Sequence, residues 1–159
     1  MRFLIALLAL AGVIDSGLAL RIHYQDPSAA PPCAVTEHFD CGTVNHSRFA
    51  VFPPQSFDEA PNSGRLHIPV AAFGIAGYAL IAVLALMGRY WITLQAAEIG
   101  FGFALFLTYM EAYILQKWCI YCLVSQLIIT AILLCTIAAL ILQHRRSRRF
   151  AHSAVIAGS

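Results

Sequence analysis

The chain has 159 residues, of which 60% are hydrophobic and 11% charged, with a formal net charge of +2. That composition excludes an ordinary soluble domain and points to an integral membrane protein. So small a net charge gives no sign of a nucleic-acid partner.

A hydrocarbon core needs roughly 20 apolar residues per helix, and the sequence offers four such runs, 2–22, 68–88, 91–115 and 119–143. The first opens MRFLIALLALAG, a basic start and an apolar centre that also suit a cleaved signal peptide. The run continues past Asp15 and Ser16 into GLALRI, however, and so reaches spanning length. A long loop, 23–67, follows. Six prolines, Pro27, Pro31, Pro32, Pro53, Pro54 and Pro61, keep it from forming one long helix. Within it, Asp40 is a good N-cap for a short helix whose apolar contacts would be Val44, Phe49 and Phe52. The second run, IPVAAFGIAGYALIAVLALMG, tolerates Pro69 in its first turn and carries Gly74 and Gly77, which suit close helix contact. Only residues 116–118 separate the third run from the fourth, so those two helices are antiparallel neighbours. The tail, 144–159, is basic.

The placement of Arg sets the topology. Arg2, Arg89 and the group Arg145, Arg146, Arg148 and Arg149 all fall on one side of a four-span chain, which is then the cytoplasm. Both termini lie there. The long loop sets Asp26, Glu37, Asp40, Asp58 and Glu59 against Arg48 and Arg65, has no basic excess, and is extracytoplasmic. The fold class is all-α: a single four-helix membrane bundle with one capping loop.

Of five cysteines, Cys33 and Cys41 lie in that loop, Cys119 and Cys122 open the fourth run, and Cys135 lies midway along it. The first four share the extracytoplasmic side, where disulfides are permitted. At i and i+3 of a helix, Cys119 and Cys122 share a face. The positive end of the helix dipole favours their thiolates, the form that attacks disulfides. Two pairs within reach allow thiol–disulfide exchange in series. Two other readings fit the residues. The loop pair is a static staple, or Cys33, Cys41, His38 and His46 join the Cys-x-x-C in a zinc site. Cys135, roughly 20 Å below Cys122 at 1.5 Å per residue, is too deep to join the exchange. Among other polar residues in the runs, Asp15 and Glu111 are acids in apolar surroundings, and Trp118, Tyr113 and Tyr121 fit an interfacial aromatic belt.

Cys33 and Cys41 eight apart, Ser47 six residues on, IDSGLAL in the first run, HIPVAAFGIAGYAL in the second and YMEAYILQKWCIYCLVSQ across the third and fourth together carry a resemblance. The chain resembles the vitamin K epoxide reductase family, in its small bacterial form without a fused thioredoxin domain. The order of the pairs, wide pair first and Cys-x-x-C second, is the reverse of that in the disulfide-bond protein B type of quinone reductase. The resemblance implies a route for two electrons in the cytoplasmic membrane. A reduced periplasmic thioredoxin-fold (DsbA-like) partner attacks at Cys33, Cys41 passes the electrons to Cys119, and Cys122 meets a quinone, ubiquinone or menaquinone, held between the helices. Ser47 supports the loop pair or the capping helix. Glu111, read from its place in the third run, either brings a proton to the reduced quinone or ties helices together by a hydrogen bond. Family members that reduce vitamin K epoxide carry an Asn and a Tyr against the quinone. The aligned positions here are Val70 and Gln126, which favours plain quinone reduction over epoxide reduction.

Overall fold

The computed structural model describes residues 1–26, 36, 38–55 and 67–157, with the backbone alone from 149. Cys33 and much of the loop lie outside the described residues. What is described is mostly helical. Helix α1 spans Arg2–His23, α2 Cys41–Asn45, α3 Val70–Leu86 and α4 Tyr90–Tyr109; a π-helical turn, Met110–Leu115, extends α4, and α5 runs Ile120–Ala157. Two short strands, β1 (Val51–Phe52) and β2 (Ile68–Pro69), pair antiparallel with Val51 opposite Pro69.

Among the described residues three helical stretches are long and apolar enough to cross a membrane: Arg2–His23, Tyr90–Leu115 and Ile120–Arg148. Their outward side chains are apolar. On α1 alone Phe3, Leu7, Leu10 and Ile14 are exposed, which suits lipid rather than water, since backbone polar groups of a helix are satisfied internally. The inward side chains meet in one core formed by Ile5 and Ala9 of α1, Tyr78, Ile81 and Ala85 of α3, Ala97 of α4, and Ile129 and Ile132 of α5.

The second expected span differs most. Helix α3 has 17 residues, about 25 Å of rise, and falls short of the length that marks the other three. Its start is displaced because Pro69 is the N-cap rather than a first-turn residue, with φ −57° and ψ 134°. A residue before proline is driven to extended backbone, so Ile68 and Pro69 continue as a strand against Val51–Phe52, and the Val70 N–H donates to the Ala50 carbonyl (2.8 Å). At the other end of the chain, helix continues through the basic segment that follows the fourth run, so 144–157 prolongs α5. Cys119 lies one residue before α5; its carbonyl accepts the Leu123 N–H (3.1 Å), the bond of an N-cap residue.

Helix α1 packs most extensively on α3, and small residues permit the approach. A Cβ at Gly12 would sit 2.6 Å from three ring carbons of Tyr78, and one at Gly74 would sit 2.6 Å from Ser16 Oγ. The Tyr78 ring cannot simply step aside, because its hydroxyl is bonded to Ser125 of α5. Gly17 has nothing within 4 Å of such a Cβ. Overpacking costs about 1–3 kcal/mol, against about 1 kcal/mol gained when Ala replaces a helical Gly. Gly12→Ala is therefore expected to unfold at lower temperature than the parent in detergent, and Gly17→Ala at the same or higher temperature. Equal melting of the two variants would contradict the close α1–α3 contact.

Candidate functional site

Asp40 starts the site. Its Oδ1 accepts the Thr43 N–H (3.1 Å) and its Oδ2 the Thr43 hydroxyl (2.6 Å), the side-chain cap expected of Asp at this position. The Thr43 hydroxyl, then the Thr43 amide, hold the carboxyl below the usual carboxylate range, with the charge of Lys117 adding to them. The helix so capped is five residues long, and it buries Cys41, Val44 and Asn45. Phe49 and Phe52 are not part of it; the chain turns through Ser47 and enters β1.

A parallel bridge fixes α2 over the start of α5. Trp118 N–H donates to the His38 carbonyl (2.8 Å) and Asp40 N–H to the Trp118 carbonyl (3.1 Å), pairing Phe39 with Trp118. From the other side His23 Nδ1 donates to the Asn45 carbonyl (2.6 Å), and His46 spans the carbonyls of Gly42 and Gln25. The result is a small cluster of Ile22, Cys41, Val44 and Cys119, in which both sulfur-bearing residues are 0% exposed. Asn45 joins them: its Nδ2 donates to the Cys41 carbonyl (2.9 Å) and reaches Cys119 Sγ (3.5 Å). Cys41 is disulfide-bonded, whereas Cys119, Cys122 and Cys135 carry free thiols.

Beneath the cluster stands Glu111, 2% exposed, on the π-helical turn. The Cys119 N–H, orphaned by its position at the helix start, donates to Glu111 Oε2 (3.0 Å). The Cys122 thiol lies against the same carboxyl group, while Oε1 is buried without a well-formed hydrogen bond. The connection that permits this is tight. Gln116 takes the left-handed conformation (φ 51°), and Lys117 N–H turns back to the Glu111 carbonyl (3.2 Å). π-Helical turns are uncommon and concentrate at functional sites; here the wider turn carries the acid under the first turn of α5.

Cys122 opens onto a cavity of about 540 Å³ between the helices, within the range of about 300–1,000 Å³ typical of small-molecule sites. Most of its wall is apolar, from Phe52, Phe73, Ile99, Phe103 and Leu107 among others, and its polar groups are few. Of the residues singled out from sequence, Ser47, Val70, Glu111 and Cys122 line it. Cys41 and Cys119 stand behind the wall, in the cluster above. Gln126 does not line it. The α5 wall is Tyr121, Cys122, Ser125 and Ile129, and Gln126 lies about 40° around the helix from Cys122 on the side away from Ser125. Its Oε1 is buried without a partner. Cys33 lies outside the described residues. Cys135 packs against the main core.

Several residues of the site escape sequence reasoning. Asn45 is one turn after Cys41, and that spacing on a helix capped at Asp40 was its only signal. Tyr78 and Ser125 read as ordinary span residues, yet the Tyr78 hydroxyl donates to the Ser125 carbonyl (2.9 Å) and meets its Oγ (2.8 Å) at the cavity wall.

No curated protein matches the chain. The model of the vitamin K epoxide reductase family matches residues 3–137, a stretch that takes in α1, the capping segment, the cysteines and the cavity wall. With 135 of its 159 residues matched and its helices apolar enough for the bilayer, the chain belongs to the vitamin K epoxide reductase family, a family of membrane oxidoreductases.

Proposed function

We propose that the protein is a thiol–quinone oxidoreductase of the cytoplasmic membrane that reoxidises a periplasmic thioredoxin-fold (DsbA-like) thiol oxidase. In this reading residues 1–159 form a single membrane domain, and α3 is the fourth crossing of a four-helix bundle. Both termini are cytoplasmic, and the segment of 23–67 lies outside. One observation carries the reading: Cys122 adjoins Cys119 on one side and an apolar cavity on the other. A thiol pair in contact with a buried apolar chamber serves electron transfer to a lipid-soluble acceptor.

The route runs through four sulfurs. A partner thiolate attacks the Cys33–Cys41 disulfide at Cys33 and frees Cys41 as thiolate; closure of the partner's own disulfide then frees Cys33. Cys41 attacks Cys119 of the inner disulfide and releases Cys122. Cys33 next displaces Cys119 from Cys41, so the outer disulfide is restored and the inner pair holds two electrons. Glu111 then takes the Cys122 proton, and Cys122 delivers the electron pair to a quinone in the cavity as Cys119 closes the inner disulfide on it. The quinone gains two electrons and two protons and leaves as hydroquinone. Each 30 mV by which its potential exceeds that of the thiols drives the transfer by about 1.4 kcal/mol.

The cavity fits a quinone ring and the start of its chain by size and by its apolar wall. Val70 offers it no hydrogen bond, and Gln126 stands outside the wall. The two positions at which epoxide-reducing relatives hold the ring with polar groups are thus without such a contact, which supports plain quinone reduction. A polar group that does lie against the reactive sulfur is the Glu111 carboxyl, and the hydrogen bond it accepts from the Cys119 N–H can be accepted by an amide oxygen as well.

Two outcomes test this. In anaerobic assays with a reduced thioredoxin-fold protein and ubiquinone or menaquinone analogues, Cys122→Ala is expected to abolish quinone reduction while still trapping a mixed disulfide with the donor. Quinone reduction by that variant would overturn the scheme. Glu111→Gln is expected to lower turnover about a hundredfold, the ordinary reach of general acid–base catalysis, while transfer from the outer to the inner pair, followed by thiol trapping, stays near the parent rate. Unchanged turnover across pH would remove Glu111 from the proton path.

A further inference from the structure

The cavity that Cys122 faces has a second polar patch, deeper along the helices, which the thiol chemistry leaves unused. Asp15 of α1 is 8% exposed and forms part of the cavity wall. It lies seven residues before Ile22 of the cysteine cluster, roughly 10 Å along α1. Its carboxyl makes no hydrogen bond or ion pair among the described residues. An acid at such depth is costly, and one that persists faces a cavity or a partner. Next to it, also on the wall, is the Tyr78 phenol bonded to Ser125. Ser125 is three residues past Cys122, about 4.5 Å further along α5. The mostly apolar chamber wall thus carries Cys122 with Glu111 at one level and, deeper along the helices, a second polar end of Asp15 with Tyr78 and Ser125.

A para-quinone has two oxygens on opposite sides of its ring, and its reduction places a proton on each. We propose, resting on the thiol–quinone reading, that Asp15 is the acid that protonates the far oxygen, so that the substrate is a para-quinone bound with one oxygen at each polar end. The Tyr78–Ser125 pair is the positioning element that keeps the ring from sliding past the carboxyl. The balance is as follows. The near oxygen receives the Cys122 proton through Glu111, and the far oxygen receives the Asp15 proton. The Cys119 proton passes to the neighbouring Glu111 carboxylate when the inner disulfide closes, and once the hydroquinone has left, Glu111 returns a proton to Asp15 through the chamber that both line. Two thiols and one quinone give one disulfide and one hydroquinone.

The titratable groups that share the chamber with Asp15 are His23 of its own helix, Tyr78 of α3, Glu111 of the π turn, and Tyr121 and Cys122 of α5. Helices α2 and α4 contribute none to the wall. An acid that must be protonated to act makes turnover fall as pH rises through its titration, so the alkaline limb of the kcat profile belongs to Asp15 and Asp15→Asn isolates it from the others. In the full-length protein with reduced thioredoxin-fold donor and a short-chain ubiquinone analogue, Asp15→Asn is expected to lower kcat about a hundredfold with little change in KM and to lose the alkaline limb. Asp15→Glu is expected to recover part of both. The rate at which the donor reduces Cys119 and Cys122, read by thiol trapping without quinone, should stay at the parent value. An Asp15→Asn protein with parental kcat and pH profile overturns the inference while leaving the thiol–quinone reading intact; a parent protein that reduces no quinone overturns the reading itself. Should the variants not accumulate folded, the parent protein labelled at the aspartate side-chain carbon answers instead. Binding of the quinone analogue is then expected to shift the infrared band of an aspartic carboxyl, and an unshifted spectrum overturns the assignment.

Discussion

The bond from the Cys119 N–H to Glu111 Oε2 (3.0 Å) is the contact on which the arrangement of the site depends. A helix start leaves N–H groups without partners, and in a buried setting each such group costs free energy comparable to a lost hydrogen bond. Here the acceptor comes from the preceding helix, across a connection of only 116–119. The left-handed Gln116 and the return bond from Lys117 to the Glu111 carbonyl shape that connection. The carboxyl therefore has a structural duty and a chemical opportunity at once. It ends the exposure of the α5 terminus, and it lies beside the Cys122 thiol.

That duty explains the π-helical turn. The wider turn absorbs one residue and keeps Glu111 at 2% exposure under Cys119. An acid this deeply placed is tolerated because one oxygen is bonded. The second oxygen is buried without a well-formed bond, and in the proposed mechanism it is the one that exchanges a proton.

Much of this was legible from the chain. Length and hydropathy located α1, α4 and α5, because a bilayer demands long apolar runs whatever their partners. The Asp40 cap was legible because its chemistry is local: Asp, then a donor three residues on. The reading failed where the outcome depends on what packs alongside. Ile68 and Pro69 belong to an apolar run, yet they pair with Val51–Phe52, a partner far away in sequence. Gln126 is one turn after Cys122, and spacing alone puts it on the same face; which side of Cys122 becomes cavity wall is decided by α1 and α3, and they select Ser125. Gly12 and Tyr78 show the same limit, since nothing in either sequence neighbourhood announces that a Cβ at position 12 would meet the Tyr78 ring at 2.6 Å.

The two inner cysteines differ most in what surrounds them, and that difference gives the proposed relay its direction. Cys119 is sealed from solvent and cavity by Ile22, Val44 and Cys41, with Asn45 against its sulfur. An acceptor in the chamber meets Cys122, and Cys41 meets Cys119. Were both sulfurs on the cavity wall, a quinone could react at Cys119 as well as at Cys122, and the two exchanges would lose their order. The Phe39–Trp118 bridge matters for the same reason. By tying the residues before α2 to those before α5, it holds Cys41 and Cys119 in one cluster, so that exchange between them needs a small adjustment of packed side chains rather than a search by a loose loop.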